Sequence, residues 1–466
     1  YKCFYYIVKQ KHLSYIISLN KKKNHIKSVQ DDAIFTIFAN YKTCLHMKIF
    51  KFGGVSIQNA EGIRNVTNIL SSYSGEKIIA VISALGKTTN LLEKVALSFF
   101  TNSPDKMSLF NNVIAQHDTI LSELFDTSDQ DALLDIHSQF QMLKNYLSKE
   151  SSENFDYEYD QIVSFGELFS SKILFYFIKK QAISTQWLDA RKLVITDTSY
   201  REGNINWEKT EKKIQKTINR HWQNNSNSLL ITQGFIGGSP EGIVTTLGRE
   251  GSDFSAAIFA FSLNAESVTI WKDVDGLLNA DPKLFPDTVK LDKIPYYEAI
   301  ELAYYGANVI HPKTLKPLQN KNIPLYVKSF LKPDENGSTV HLFDNKKMIP
   351  CFIKKTNQIL LSISPKDFSF IAEENLSTIF AIFAHFGFKI NLMQNSAISF
   401  SVCVDYRENL SQLIEELQTE FYVKYNENVE LLTIRHYTNH SFADKTNGKK
   451  IILEQRNRTT LQLVLK

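Results

Sequence analysis

Met47-Lys48-Ile49-Phe50-Lys51-Phe52-Gly53-Gly54-Val55-Ser56 sets an apolar strand directly against a lysine and two glycines. A lysine leaving a buried strand is held in place. The glycines let backbone amides approach a ligand, so the end of this strand suits a phosphate. Far along the chain, Thr245-Thr246-Leu247-Gly248-Arg249-Glu250-Gly251-Ser252-Asp253 adds glycines, hydroxyls, an arginine and a carboxylate ahead of an apolar helical run. Phosphoryl transfer needs positive charge near the moving group more than a strong base. Together the two segments read as a small-molecule kinase site.

Around them, from Met47 to about Phe330, strand and helix patterns alternate as in an α/β domain with a largely parallel sheet. Expected strands are Lys48–Phe52, Lys77–Ser83, Ser184–Leu188, Ser228–Gln233, Ser267–Trp271 and Pro324–Lys328. Between about Pro104 and Lys180 lie two or three helical patterns, too long for one crossover, which read as a lid beside the substrate. A polar stretch with proline and glycine, Leu331–Ser338, reads as a linker spanning 331–344. Beyond it the rhythm shortens. Gln358–Ser364, Ala372–Phe386, Lys389–Leu392, Ile398–Val404, Leu410–Phe421 and Tyr422–Tyr425 follow the β-α-β-β-α-β order of a ferredoxin-like unit over about 357–426. Strand patterns at Val429–Tyr437, Lys450–Gln455 and Thr460–Leu465 make a partial second unit, completed by residues near 345–356.

The 466 residues and 43% apolar content support two or three globular domains. Net charge is +4, but residues 1–46 hold eight lysines against two acids, so the remainder is slightly acidic and nucleic acid is not an expected ligand. Lysines break every apolar stretch of 1–46 short of the roughly 20 residues that span a bilayer. The order of a secretory signal is absent as well. This segment reads as an extension outside the fold, with translation expected to start at Met47. The four cysteines form no Cys-x-x-Cys pair, so neither a disulfide framework nor a zinc site is expected, and the compartment reads as reducing cytoplasm. Cys403 reads as a small buried hydrophobe.

Two look-alikes fail. Gly86-Lys87-Thr88 would end a P-loop, but the earlier glycine falls on Val81. Asp273-Val274-Asp275-Gly276 would open a calcium loop, but its closing position is Leu284. More telling is Ile82–Asn90, which follows a strand and opens a helix, where free amides and hydroxyls can meet an anion. An ordinary N-cap at Thr88 or Thr89 is the plainer alternative. Ser164–Ser170 puts Glu167 on a helix; an amino-acid substrate needs an acid for its ammonium and an arginine for its α-carboxylate, which Glu167 and Arg249 can supply. Unaided, such a glutamate is usually a solvated face. His311 reads as a structural helix-start residue rather than a base.

Lys51–Ser56 is similar to the opening signature of the aspartate kinase family, with valine where threonine is commoner. Thr89-Asn90, Ser164–Ser170, Thr246–Asp253, Trp271–Asp281 and Glu298–Thr314 resemble the same family in order. The resemblance implies a three-layer amino-acid-kinase domain over 47–330, followed by regulatory ACT domains over 345–466. It also implies phosphorylation of the side-chain carboxylate of L-aspartate by ATP with Mg²⁺, under feedback control. Catalytic roles then fall to Lys51 and Asp253, and aspartate binding to Ser83, Thr89, Glu167 and Arg249. Lys51, Phe52, Gly53, Gly54, Lys272, Asp273, Leu278, Lys283 and Asn308 would serve ATP. No protein-held metal is expected. Asn391, Asn395 and Ser396 would bind an effector, lysine first and threonine second, and ACT pairing implies a homodimer or larger assembly.

Three positions depart from the family: Leu278 stands for a tyrosine, Lys283 for an arginine and Asn308 for a lysine, for which Lys313 is a candidate substitute. Another carboxylate kinase, such as a glutamate or acetylglutamate kinase, and a decayed amino-acid-sensing protein are the competing readings. A fused dehydrogenase is not expected.

Overall fold

The computed structural model describes residues 47–224, 229–307, 310–344, 348–367, 369–438, 446 and 448–466. The extension 1–46 and Asn308 lie outside the described residues.

In chain order the first part runs β1 (Met47–Phe52), α1 (Ala60–Ser72), β2 (Lys77–Ile82), α2 (Thr88–Phe100), α3 (Lys106–Leu124), α4 (Gln130–Leu147), α5 (Phe155–Val163), α6 (Phe165–Lys180) and β3 (Thr185–Leu188). It continues with α7 (Trp207–Asn224), β4 (Leu229–Gln233), β5 (Ile236–Gly238), β6 (Val244–Thr246), α8 (Gly251–Leu263) and β7 (Ser267–Lys272). Then come β8 (Lys293–Pro295), α9 (Tyr296–Tyr305), α10 (Pro312–Lys321), β9 (Leu325–Ser329) and β10 (Ser338–His341). Eight of these strands form one sheet in the order β3-β4-β2-β1-β7-β9-β10-β8, parallel at every pairing except β9 with β10.

Both faces of the sheet are covered, and strand alternation decides which side chain meets which helix layer. Phe50, Phe52, Ala80, Ile82 and Trp271 pack into the core shared with the α1–α6 layer. Ile49, Ile79, Val81, Val268 and Ile270 pack into the opposite core with α7–α10. The three-layer α/β domain is thus as expected. The lid segment holds four helices rather than two or three, because α5 and α6 part at Ser164 within one apolar run. The stretch read as a linker ends in β10, which joins the main sheet. Gly337, at φ +64°, turns the chain so tightly there that a Cβ would meet the Val327 carbonyl oxygen at 2.1 Å. Strands of three or four residues, such as β5, β6, β8 and β10, carry too little periodicity to announce themselves.

The second part runs β11 (Cys351–Pro365), α11 (Glu373–His385), β12 (Ile390–Asn395), β13 (Phe400–Asp405), α12 (Leu410–Glu420), β14 (Phe421–Arg435), β15 (Ile451–Arg456) and β16 (Thr460–Leu465). These strands form an antiparallel sheet in the order β12-β13-β11-β14-β16-β15. The ferredoxin-like unit is present, with α11 and α12 packed on Ile359, Leu361 and Ile363 of β11 and on Val402 and Val404 of β13. β11 and β14 are 15 residues each, far longer than expected, and continue into the second unit, which β16 and β15 complete. Their register shifts between Lys355 and Leu360, where Asn357 of β11 and Asn428 of β14 take left-handed backbone. Cys403 is fully buried in this sheet.

The second unit grips the α/β domain. Ala280 and Phe285 pack among Leu432, Ile434, Leu461 and Leu463. Glu298, fully buried on α9, receives Arg435 Nε at 3.0 Å and Nη2 at 2.7 Å, and His436 Nε2 lies 2.9 Å from the same carboxylate. Arg435 Nη1 donates to Thr460 Oγ1 at 2.7 Å. Burial alone would raise the Glu298 carboxyl, but its bonds to His436 and Arg435 hold it below the usual value. Removing one partner of a buried pair strands the other charge. Arg435→Met should therefore cost about 3–5 kcal/mol, and the double variant Glu298→Met/Arg435→Met clearly less. Urea unfolding of both checks this; equal losses would show that the pair is not what holds the interface.

Candidate functional site

Strand order turns back on itself at β1, whose neighbours β2 and β7 lead to opposite edges of the sheet. Open parallel sheets bind ligands beyond the carboxyl ends of their strands at such a point. A cavity of about 730 Å³ opens there, and Lys51, Ser83 and Lys272, from the ends of these three strands, all line it.

Lys51 shares its strand face with Ile49 and so points to the α8 layer, where Asp253 sits in the first helical turn. Their charges meet at Nζ–Oδ1 2.7 Å, with side chains 13% and 5% exposed. Held this way, the ammonium cannot swing into solvent. Gly54 follows because nothing larger fits: a Cβ would lie 2.7 Å from the Ala84 carbonyl oxygen and 2.8 Å from that of Gly86. No side chain caps the start of α8. Its amide ends, together with the lysine, make this wall of the cavity attractive to anions.

Glu167 stands on the first turn of α6, where Gly166 lets the helix approach Ala84 so closely that a Cβ would be 2.9 Å from the alanine methyl. Its Oε1 accepts from the Ala84 amide at 3.2 Å, and among the described residues Oε2 has no hydrogen-bond partner. Burial pushes the carboxyl up to about 8, against the opposing Ala84 bond and Lys51 charge. Ser83, Thr89 and Arg249 line the same cavity. The N-cap alternative for Thr88 and Thr89 does not hold: Lys87 is the cap residue of α2, and no side chain caps it. His311 does cap α10, its Nδ1 accepting from the Lys313 amide at 3.2 Å.

Other residues shape the cavity without having been singled out in the sequence. Asp160 accepts from the Thr246 amide, the Thr246 hydroxyl and the Arg201 amide at 3.0, 2.7 and 2.9 Å, tying two cavity loops to α5. Arg201, Phe235 and Glu250, all lining the cavity, have φ of +64°, +65° and +54°. Asparagines tolerate such backbone, whereas these residue types do not, and strain of this kind gathers at functional sites. No sequence signal marks it.

Several expected nucleotide residues are not brought to this cavity. Phe52 points the other way from Lys51 and stacks on Trp271 at 5.9 Å, fully buried, so its ring cannot meet a ligand. Asp273 and Lys283 are exposed, Leu278 bridges to Lys290, and none of the three lines the cavity. Nor does the structure unite the expected effector residues. Asn391 faces the kinase-like domain and accepts from Lys355 Nζ at 2.9 Å, whereas Asn395 and Ser396 are exposed at the hairpin tip, where Ser396 bonds to Ser399.

Residues 46–329 match the amino acid kinase family. The chain belongs to that family. Among curated relatives, it is 29% identical over 388 residues to the chloroplastic bifunctional aspartokinase/homoserine dehydrogenase 2 of Arabidopsis thaliana, covering 80% of this chain and 42% of that protein. It is 27% identical to the chloroplastic aspartokinase 1 of the same plant, covering 86% and 72%. The chain spans less than half the length of the bifunctional relatives that it matches. As an amino acid kinase it also superposes on E. coli aspartokinase III, solved with lysine and aspartate, at TM-score 0.74 and 25% identity, covering 90% of this chain and 95% of the other.

For this family member, Glu167 gives a pH signature. Between the ordinary value of 4.5 and about 8, the folded chain keeps a proton that the unfolded chain has released. The stability this contributes is full below the lower value and is lost as pH rises through the upper one. Glu167→Gln should therefore flatten the loss of unfolding midpoint between about pH 5 and about pH 9 in the ligand-free protein. An unaltered slope would mean that the carboxyl is ionised in the fold.

Proposed function

We propose that this amino acid kinase is an aspartate kinase, transferring the γ-phosphoryl group of ATP to the side-chain carboxylate of L-aspartate to give 4-phospho-L-aspartate. This would open lysine, threonine and methionine synthesis. The observation that carries the reading is the Lys51–Asp253 pair in one cavity with Glu167 and Arg249. Aspartokinases among the relatives support it.

The acceptor carboxylate is already ionised at neutral pH, so no base is required. A carboxylate oxygen attacks the γ-phosphorus as the bond to the departing ADP oxygen breaks. Lys51, fixed by Asp253, and the uncapped start of α8 stabilise the charge on the transferring group. Arg249 holds the α-carboxylate and Glu167 the ammonium, with Ser83 and Thr89 as hydroxyl partners. Of the expected nucleotide residues, Lys51, Gly54 and Lys272 line the cavity, and Asp273, Leu278, Lys283 and Asn308 belong to the same proposal from outside it. Mg²⁺ would neutralise phosphate charge. Among the described residues no group of three or more His, Cys, Asp or Glu could hold a metal ion, so the phosphates would carry it in.

The regulatory role of the C-terminal region, with lysine or threonine as effector, is part of this reading; the E. coli relative was solved with lysine. Exposed Phe370, Met393 and Ile398, near edge strand β12, support self-association. The division between catalytic and regulatory parts is best placed after β10. Among the described residues no helix is long and apolar enough to cross a membrane. Buried, unpaired Cys351 and Cys403 support a reducing, cytoplasmic compartment, although the plant relatives are named as chloroplastic.

A coupled ADP-release assay with aspartate, glutamate and acetylglutamate tests the reading. Activity confined to one of the other acceptors would replace it. Lys51→Ala should cut turnover by about a hundredfold or more with the fold retained. Arg249→Ala should raise the KM for aspartate by about tenfold or more and leave that for ATP nearly unmoved. Because Glu167 must ionise to hold an ammonium, the aspartate KM should fall as pH rises toward 8, and Glu167→Gln should lose that dependence.

A further inference from the structure

A second cavity, of about 470 Å³, lies between the two parts of the molecule. One wall is the catalytic loop, Arg249 and Glu250, with the cap residue His311. The other is the regulatory sheet, with Lys355, Lys389 and Asp405. Its volume is that of an ordinary small-molecule site.

The charges here are not balanced. Both acids are engaged internally: Glu250 Oε2 accepts from the His311 amide at 2.9 Å, and Asp405 Oδ1 accepts from Gln358 Nε2 at 2.8 Å. Lys355 spends one of its three donors on Asn391, at 2.9 Å, and Asn391 in turn donates to Gln358 at 2.8 Å. The relay Lys355–Asn391–Gln358–Asp405 therefore fixes the lysine while leaving donors for a ligand. Its stem crosses the C-cap of α9 over Gly306, whose φ of +103° few side chains could adopt; a Cβ there would lie 2.5 Å from Lys355 Cε. Burial holds His311 below the usual imidazole value against the opposing Glu250 charge, and the nearby Lys313, Arg249 and Lys389 charges add smaller lowering effects. Basic side chains thus face this cleft from both walls, Arg249 on one and Lys355 and Lys389 on the other.

We propose that the cleft binds a small anion of the dicarboxylate or phosphate type, held by Lys355 and Lys389 on one side and Arg249 on the other. A ligand bridging both walls binds this arrangement of the two parts better than any in which they separate, so its binding would bias the catalytic loop. The site adjoins the kinase cavity around Lys51, with which it shares Arg249 and Glu250, and is separate from the hairpin tip at Asn395 and Ser396. It does not rest on the proposed activity, because its test reads binding.

Inorganic phosphate and succinate would be titrated calorimetrically into the full chain and into Lys355→Gln/Lys389→Gln, Lys389→Ala and Lys51→Ala. At least one probe should bind the parent protein. The double variant should weaken it by about tenfold or more and Lys389→Ala by a few-fold, with Lys51→Ala close to the parent. Lys389 is exposed, so its replacement leaves the packed core untouched. Binding of phosphate alone or succinate alone assigns the ligand class within the proposal. No binding by either probe overturns it. So does binding abolished by Lys51→Ala and untouched by the double variant, which would put the anion in the kinase cavity.

Discussion

A strand covered on both faces has no neutral side, and β1 lives under that constraint. Every second residue is committed to one helix layer and the rest to the other. Phe50 and Phe52 belong to the layer of the lid helices, and Ile49 to that of α8. Lys51 inherits its direction from this parity. It emerges where the strand ends and the second core stops, so its stem stays packed while its charge meets Asp253. A one-residue slip of β1 would send an ammonium into the aromatic core and Phe52 into the cavity. The chemistry of the site thus depends on the apolar residues that cannot take part in it.

This also explains what could be read in advance. Motifs at strand ends were legible because residue type and backbone geometry are both local there: a lysine before two glycines, a glycine-rich entry to a helix, a glutamate after a small turn. The main strands were legible for the same reason, as buried runs between turn residues. Arg201 and Phe235 were not. Their place at the cavity depends on left-handed backbone enforced by partners distant in sequence, such as the Asp160 carboxylate for the Arg201 amide. Phe52 is the opposite case. It neighbours the phosphate-suited glycines in sequence, yet alternation removes its ring from them.

Family likeness carried function further than periodicity could, but only for residues that the fold brings together. Leu278, Lys283 and Asp273 sit on a loop whose course is set by contacts with the antiparallel sheet, among them the Phe352 amide on the Asn279 carbonyl at 2.7 Å. Sequence spacing holds no information about that docking. The hairpin at Asn395 and Ser396 shows the converse. There Ser396 bonds to Ser399 across a tight turn, a local arrangement that composition does not reveal.

The buried pair of Glu298 and Arg435 joins residues 137 positions apart. On a chain made from its N-terminus, α9 is complete long before the arginine exists. Until then its carboxylate must stay hydrated, and the apolar surface around Ala280 and Phe285 has nothing to cover it. Even once Arg435 has been made, the second half of β14 still lacks its neighbour β16, whose residues come later. The first domain therefore spends much of synthesis with one face unfinished. Closing it is a late, long-range step of the slow kind that contact order predicts. A helper that shields hydrophobic surface on the nascent chain would find its target on that face, and the finished molecule would no longer display it.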